Sequence, residues 1–394
     1  MSELHEPTIA LDELRPTQLL VDLDVLAHNY RVIGQRVAPA LVMPILKANA
    51  YGHGLVQTAL KLERVGAPYL GVAYLEEGLR LRQHGVRMPV LVMGGIVGSQ
   101  LPRFVEHDLT ITASSLDKLN AIEECAAWLG RHARVHLKID TGMERIGVHW
   151  YSAEALLTAA ARCKHLSVEG VFTHFANADE PDVTRAQLQL ERFLEVLRFY
   201  ERHSLPTPLR HAANSGAILQ LPASHLDMVR PGVLLYGVSP ALELPLGIDV
   251  RPVLRWSTRV VYFKVVRAGH PVSYGSTWAP AAQTRVVTLP VGYGDGYLRA
   301  MSGRAEVIVR GTRVPVVGRI CMDQIMVDIG QGSAWNGDEV VLLGSDGQHT
   351  IRVEELASWA GTIPHEILTN INTRVPRVYR DTSAADAGRA AHAI

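Results

Sequence analysis

Apolar positions along this chain follow two regimes. Up to about residue 250, short apolar runs alternate with stretches in which apolar residues recur every three or four positions. The runs predict strands at 41–46, 69–73, 90–93, 109–112, 135–139, 168–173, 209–211 and 228–229. The recurring stretches predict helices near 54–64, 75–84, 98–107, 115–129, 152–163, 184–203 and 214–220. Eight strands with helices between them match a closed (β/α)8 TIM-type barrel over 24–250, with an open doubly wound sheet as the rival. No strand opens a GxGxxG turn into a helix, which argues against a dinucleotide site.

From residue 251 the pattern changes to β-branched runs separated by glycine and proline: 256–268, 285–291, 306–309, 314–317, 326–329 and 339–343. These predict an all-β domain over 251–380, with one short helix near 353–360. Residues 18–24 also read as a strand, and Asp24 could cap the helix that follows. Residues 1–16 are polar and expected to be peripheral. The stretch 381–394, rich in alanine, serine and glycine, is expected to be loose.

Composition narrows the class. The chain has 394 residues, 47% of them hydrophobic, and a formal net charge of zero. That length favours two domains. The neutral balance, without long charged blocks, gives no support for nucleic-acid or membrane-surface binding. No apolar run approaches the roughly 20 residues that span a bilayer, and the first residues do not read as a signal peptide. A cytoplasmic protein is expected. Cys125, Cys163 and Cys321 show neither a disulfide framework nor a metal spacing.

The candidate chemistry centres on Pro44-Ile-Leu-Lys-Ala-Asn-Ala-Tyr-Gly-His-Gly54. Lys47, one of only six lysines, ends an apolar run and is followed by a small, glycine-rich turn holding Tyr51. Partial burial would lower its pKa and make it a nucleophile able to form a Schiff base; alternatively it leaves the strand for solvent. The loops after the seventh and eighth strands read Asn214-Ser215-Gly216 and Arg230-Pro231-Gly232-Val233, where barrels of this kind often bind phosphate. Arg230 should point into the barrel mouth and donate to a heteroaromatic nitrogen, or else pair with Asp227. His174, between Thr173 and Phe175, reads as a core residue or a support for Arg230. Arg145 could clamp a carboxylate by its fork, or pair with Glu144. Lys138 lies on the fifth strand, where a buried amine needs a charge partner or a modification that removes its charge. In the β domain, Tyr274, Tyr293 and Met322 sit in turns with little reason to be core. No spacing matches a zinc or calcium site.

Assembled, these residues closely resemble the bacterial alanine racemases, pyridoxal-phosphate enzymes of the barrel (fold-type III) class, over about residues 18–380. The motifs that carry the resemblance are Lys47-Ala-Asn-Ala-Tyr-Gly-His-Gly54, Lys138-Ile-Asp-Thr-Gly-Met-Glu-Arg145, Thr173-His-Phe-Ala176, Arg230-Pro-Gly-Val-Leu-Leu-Tyr-Gly237, Ser273-Tyr-Gly275, Leu289-Pro-Val-Gly-Tyr293, Gly318-Arg-Ile-Cys-Met-Asp-Gln324 and Arg374-Val-Pro-Arg-Val-Tyr379. The resemblance implies an isomerase that interconverts L- and D-alanine with pyridoxal 5'-phosphate, for peptidoglycan synthesis. Lys47 would hold the cofactor. Tyr51, Ser215, Gly232, Val233 and Tyr379 would bind its phosphate. Arg230 would meet the pyridine nitrogen, and His174 would support it. Lys47 and Tyr274 would be the two catalytic bases, Tyr274 being supplied by the other subunit of a homodimer. Arg145 and Met322 would contact the substrate, Tyr293 would line the way in, and Lys138 matches a position that is often carbamylated. The strand at 18–23 would join the β domain.

Glu144 stands where the family usually has a small or uncharged residue, and Ser276 stands where the family varies. Both bear on substrate breadth. The alternatives are a serine or broad-specificity racemase, a fold-type III decarboxylase, and a non-catalytic pyridoxal-phosphate carrier. A decarboxylase would want an acid where Arg230 stands. A carrier would need no β domain with Tyr274.

Overall fold

The computed structural model describes residues 15–242 and 244–382 and divides the chain into two compact units. One holds residues 25–251, the other 15–24 together with 252–382. The tail expected to be loose lies, from residue 383, outside the described residues, as do residues 1–14 of the segment expected to be peripheral.

The first unit is a closed parallel barrel. Its strands are Leu41–Val42, Leu70–Val72, Val90–Val92, Thr110–Ala113, Ala133–Asp140, Leu166–Phe172, Leu209–His211 and Met228–Val229. Six of them, from Leu70–Val72 to Leu209–His211, form one continuous parallel ladder, and Met228–Val229 pairs with Leu41–Val42. Two seams complete the circle. A parallel bridge joins Ile45 to Gly71, and Asp227 and Arg230 donate to the carbonyls of Arg210 and Ala213. The rival open sheet is excluded by this closure. The strands at 70–72, 90–92 and 110–113 are buried at every position, because helices cover one face and the barrel interior the other. Thr184–Arg202 shows how the helices dock: Ala186, Leu190, Phe193, Leu197 and Tyr200 form a buried stripe at three- and four-residue spacing. A short strand, Val148–His149, pairs beside Ala133–Asp140 and was not legible from its brief polar setting.

The second unit is a mostly antiparallel sheet. Its order is Tyr262–Val266, Thr284–Leu289, Ile325–Gly330, Thr312–Val317, Glu306–Val309, Glu339–Asp346, Leu254–Arg259, Gln18–Asp22 and Arg377–Arg380. Alternating burial along Ile325–Gly330 shows one face on the core and one toward solvent. Trp256 and Tyr297 are fully buried and meet edge to face at 5.7 Å between ring centroids.

Four sequence expectations change. The run 256–268 is two strands, broken at Val260–Val261. The expected helix near 353–360 is present as Val353–Ala360, and a second, Pro364–Asn370, follows it. The Gln18 strand stops at Asp22. Its helix, Leu23–Val37, already includes Asp24, whose N–H donates to Asp22 Oδ1 at 3.0 Å. Asp22 therefore supplies the capping oxygen expected of Asp24. The Gln18 strand lies between Leu254–Arg259 and Arg377–Arg380, within the β unit.

Candidate active site

The run that ends on Lys47 bonds along the eighth strand: Met43 N donates to Val229 O and Ile45 N to Pro231 O. Pro44 has no N–H to offer, but its carbonyl accepts from Gly71 N at 2.9 Å. Lys47 then opens a turn in which Ala48, Asn49, Ala50 and Tyr51 all have φ between 52° and 56°. Such a left-handed turn costs roughly 1–2 kcal/mol per non-glycine residue. Its surroundings hold it. Asn49 Oδ1 accepts from Leu55 N at 2.9 Å and so caps the helix Leu55–Arg64. Fully buried Tyr236 stacks on His53 at 4.3 Å and donates its hydroxyl to Ile45 O at 3.0 Å. The turn leaves Lys47 exposed at the barrel mouth and buries Tyr51. Desolvation, with Arg145 adding to it and Glu77 opposing, lowers the Lys47 pKa. The amine is therefore more readily neutral than an ordinary lysine.

Tyr51 reaches the loops that follow the last two strands. Ser215 opens the helix Ser215–Gln220, capped by Asn214 Oδ1 at 3.0 Å from Ala217 N. Ser215 Oγ accepts from Gly232 N at 2.9 Å and from Leu234 N at 3.3 Å. A Cβ on Gly232 would lie 2.4 Å from Tyr51 Oη and 3.7 Å from Ser215 Oγ. A side chain there would press on Tyr51 Oη, while the N–H groups of Gly232 and Leu234 both converge on Ser215 Oγ. Val233, fully buried, begins the short turn Val233–Tyr236 at the same place. This donor-rich cradle fits a phosphate.

Arg230 is buried among acceptors rather than acids. Its guanidinium meets His211 Nδ1 at 2.9 Å and donates to Thr173 O at 2.7 Å and Ala212 O at 2.9 Å. His174 Nδ1 lies 3.4 Å away. Asp227, the alternative partner, is instead held by Arg210 through two bonds of 2.7 and 2.8 Å. Burial pushes Arg230 down to about 9, which leaves it cationic at neutral pH. His211 continues inward, with its Nε2 2.9 Å from His136 Nδ1. If Arg230 donates to His211 Nδ1, then His211 Nε2 carries the proton and His136 Nδ1 accepts it. Room for the His136 ring exists because residue 170 is glycine; a Cβ there would lie 2.6 Å from Nδ1.

Lys138 is buried with its ammonium 4.7 Å from the Phe172 ring centre, and no carboxylate pairs with it among the described residues. Desolvation and then Arg230 push its pKa well down; Asp140 pulls the other way, and Arg145 adds the smallest push down. Asp140 ends the same strand and gathers the next loop by accepting from Gly142, Met143 and Arg145 N–H groups at 2.8–3.2 Å. Burial works against its charge, but these backbone bonds outweigh it and hold the carboxyl below the usual range. Arg145 is thereby set at the mouth, exposed. Glu144 turns its carboxylate to His149 Nε2 at 2.9 Å.

In the β unit, Tyr274, Tyr293 and Met322 are exposed. Ser273 Oγ donates to Arg319 O, and the N–H groups of Tyr293 and Gly294 donate to Cys321 O and Met322 O. Buried Asp295 anchors this group, accepting from Gly292 N at 2.9 Å and from Arg374 Nε at 2.7 Å, and pairing with Arg15. Tyr379 lies on the edge strand, opposite Val21. Asp140, Glu77, His211, His136 and Asp295 were all missed in the sequence. Only Asp140, ahead of a Thr-Gly turn, and Glu77, third in its helix, carried a local signal.

A (β/α)8 barrel whose mouth gathers a lysine of lowered pKa, a cradle of hydroxyls and backbone N–H groups and an arginine with no acid partner among the described residues, with a mostly β unit in the same chain, defines a barrel-class enzyme. Comparison with known proteins narrows this. The family models for the alanine racemase N-terminal and C-terminal domains match residues 21–240 and 253–379. An alanine racemase of Carboxydothermus hydrogenoformans is 43% identical over 93% of this chain and 100% of its own. One from Symbiobacterium thermophilum is 42% identical over 95% and 100%. Among solved structures, alanine racemase from D-cycloserine producing Streptomyces lavendulae superposes with a TM-score of 0.88 at 37% identity, covering 93% of this chain and 97% of that one. That of Bacillus anthracis with bound L-Ala-P gives 0.86 at 34%, covering 93% and 95%. The chain belongs to the alanine racemase family.

Proposed function

We infer that the protein is an isomerase that interconverts L- and D-alanine with pyridoxal 5'-phosphate, in a homodimer whose sites draw on both subunits. The observation that carries this reading is Arg230, cationic, buried and without an acid partner among the described residues, close in the barrel to the Lys47 turn and the cradle of Tyr51, Ser215 and Gly232. When bound, the cofactor supplies an electron sink for the charge left on the substrate Cα.

Lys47 would hold the cofactor covalently, with Tyr51, Ser215, Gly232 and Val233 on its phosphate. Tyr379 is proposed as a further phosphate ligand on the resemblance alone. Arg230 would donate to the pyridine nitrogen. That keeps the nitrogen unprotonated, limits charge spread into the ring and disfavours transamination. His174, kept neutral first by burial and then by the nearby Arg230, supports Arg230 without competing for a proton. The Lys47 amine, freed as substrate binds, would move the proton on one face. Tyr274 of the partner subunit would hold one at Oη on the opposite face. Exposure of Tyr274, Tyr293 and Met322 on one side of the β unit is consistent with this sharing. Arg145 and Met322 would receive the substrate carboxylate, and Tyr293 would line the access path. Carbamylation of Lys138 would remove the buried positive charge, which Asp140 offsets only in part. No helix among the described residues is long and apolar enough to cross a membrane, and a cytoplasmic role in cell-wall synthesis is proposed on resemblance.

The test is chiral analysis of the purified protein with L-alanine and, in parallel, L-serine. Rapid formation of D-alanine with much slower serine turnover is expected. Fast serine with slow alanine would move the substrate assignment. No turnover of either, with cofactor bound, would favour a carrier.

A further inference from the structure

The left-handed turn after Lys47 takes its first hydrogen bond from outside itself. Ala48 N donates to Glu77 Oε1 at 2.7 Å. Glu77 belongs to the next strand–helix unit, as third residue of the helix Leu75–Gln83. Its other oxygen accepts from Ala73 N at 2.8 Å and Tyr74 N at 3.2 Å. Capping that helix needs one oxygen only. The second is committed to the residue beside Lys47, so one carboxylate ties together the loops that follow the first two barrel strands.

We propose that Glu77 is a positioning residue for Lys47: by clamping Ala48 N it fixes where the turn begins and hence where the lysine side chain leaves the barrel wall. This rests on Lys47 being the residue that holds the cofactor. The clamp requires two acceptor oxygens on one side chain. Glutamine has the same shape but a single acceptor, its amide nitrogen being a donor that cannot face an N–H. Aspartate keeps the charge but is one methylene short of bridging both loops. The charged groups that reach the Lys47 amine are Arg145, which disfavours its protonation, and Glu77, which favours it. Glu77 thus acts on the amine through position and through charge, and the two effects separate by substitution.

The experiment compares Glu77→Gln, Glu77→Asp and, as a helix-cap control in another strand–helix unit, Ser115→Ala, whose hydroxyl accepts from Lys118 N at 3.1 Å. Amide hydrogen exchange of the full-length protein is read at Ala48, Ala73 and Tyr74, and kcat and KM for alanine are measured on the same preparations. Both Glu77 variants are expected to speed exchange at Ala48 and to lower kcat about tenfold with KM little changed. The pH at which the Lys47 amine of the cofactor-free protein reacts with an acylating reagent should fall in Glu77→Gln and stay in Glu77→Asp. Ser115→Ala should leave Ala48 exchange and kcat unchanged. Wild-type exchange at Ala48 and wild-type kcat in either Glu77 variant that folds would overturn the proposal, as would a loss of kcat in Ser115→Ala matching that in Glu77→Gln. Borohydride trapping and peptide mapping of the wild-type protein keep the two readings apart. Cofactor on another lysine overturns the role of Lys47, and with it that of Glu77, whatever the exchange shows.

Discussion

Single side chains at the barrel mouth carry distinct and separable tasks. Gly232 is the sharpest case, because one added methyl would intrude on Tyr51 Oη and approach Ser215 Oγ. Gly232→Ala should fold but lose cofactor affinity by about tenfold or more, since overpacking a fitted site costs about 1–3 kcal/mol; titration of the cofactor-free protein measures this. Arg230→Lys should be far from conservative. A lysine cannot reproduce the bonds to His211, Thr173 O and Ala212 O from one planar group. A destabilisation of about 2 kcal/mol is expected in urea unfolding, together with weaker cofactor binding. Tyr274→Phe should retain cofactor yet nearly abolish racemisation, since it removes only the proton-bearing oxygen. Full activity in that variant would sink the two-base reading. The residues with reactive groups were legible one by one in the sequence. Their partners were not, because His211, His136 and Glu77 come from other strands and helices.

Elements decide which groups stay neutral. His211, His136 and His174 lie on or just after adjoining barrel strands. All three are pushed below the ordinary imidazole value by burial first and then by Arg230, His136 to about 3. Unfolded, each would titrate near 6.5. The unfolded chain therefore binds more protons below that pH, and the stability is whole above about 6.5 and declines as pH falls toward the folded values. By pH 5 the loss from His136 alone is about 2 kcal/mol. The urea midpoint should hold from pH 8 to 7 and drop between 6.5 and 5, and His136→Asn should flatten the decline. An unchanged slope would mean that His136 is charged in the fold. The barrel elements were readable because strands buried on both faces stay apolar throughout. The left-handed turn was not, because nothing local in Ala48-Asn-Ala-Tyr51 demands it; the Asn49 cap, Tyr236 and Glu77 impose it.

At the scale of the whole molecule, the proposed chemistry needs Lys47 and Tyr274 to come from different chains. Lys47→Ala and Tyr274→Phe proteins, each inactive alone, should regain activity when their subunits are exchanged, because one of the two sites in a mixed dimer then has both groups. No recovery after exchange has been verified by mass would remove the shared site. The β unit is itself assembled from distant sequence: Gln18–Asp22 sits between Leu254–Arg259 and Arg377–Arg380. The strand was visible as an apolar run, but only its resemblance to a family, and then its pairing, assigned it to the second unit rather than the barrel.

By itself the sequence determined the alternation of strands and helices, the change to β-branched runs at 251, and which reactive side chains stand at strand ends. Those features are local, set by periodicity and by the turn residues that interrupt it. Tertiary structure alone decided that Asp227 belongs to Arg210 and not to Arg230, that Lys138 is buried without an acid among the described residues, that Glu144 turns to His149, and that Glu77 reaches the Lys47 turn. Each of these depends on which distant groups share a volume of low dielectric, and that is a property of packing that no spacing along the chain encodes.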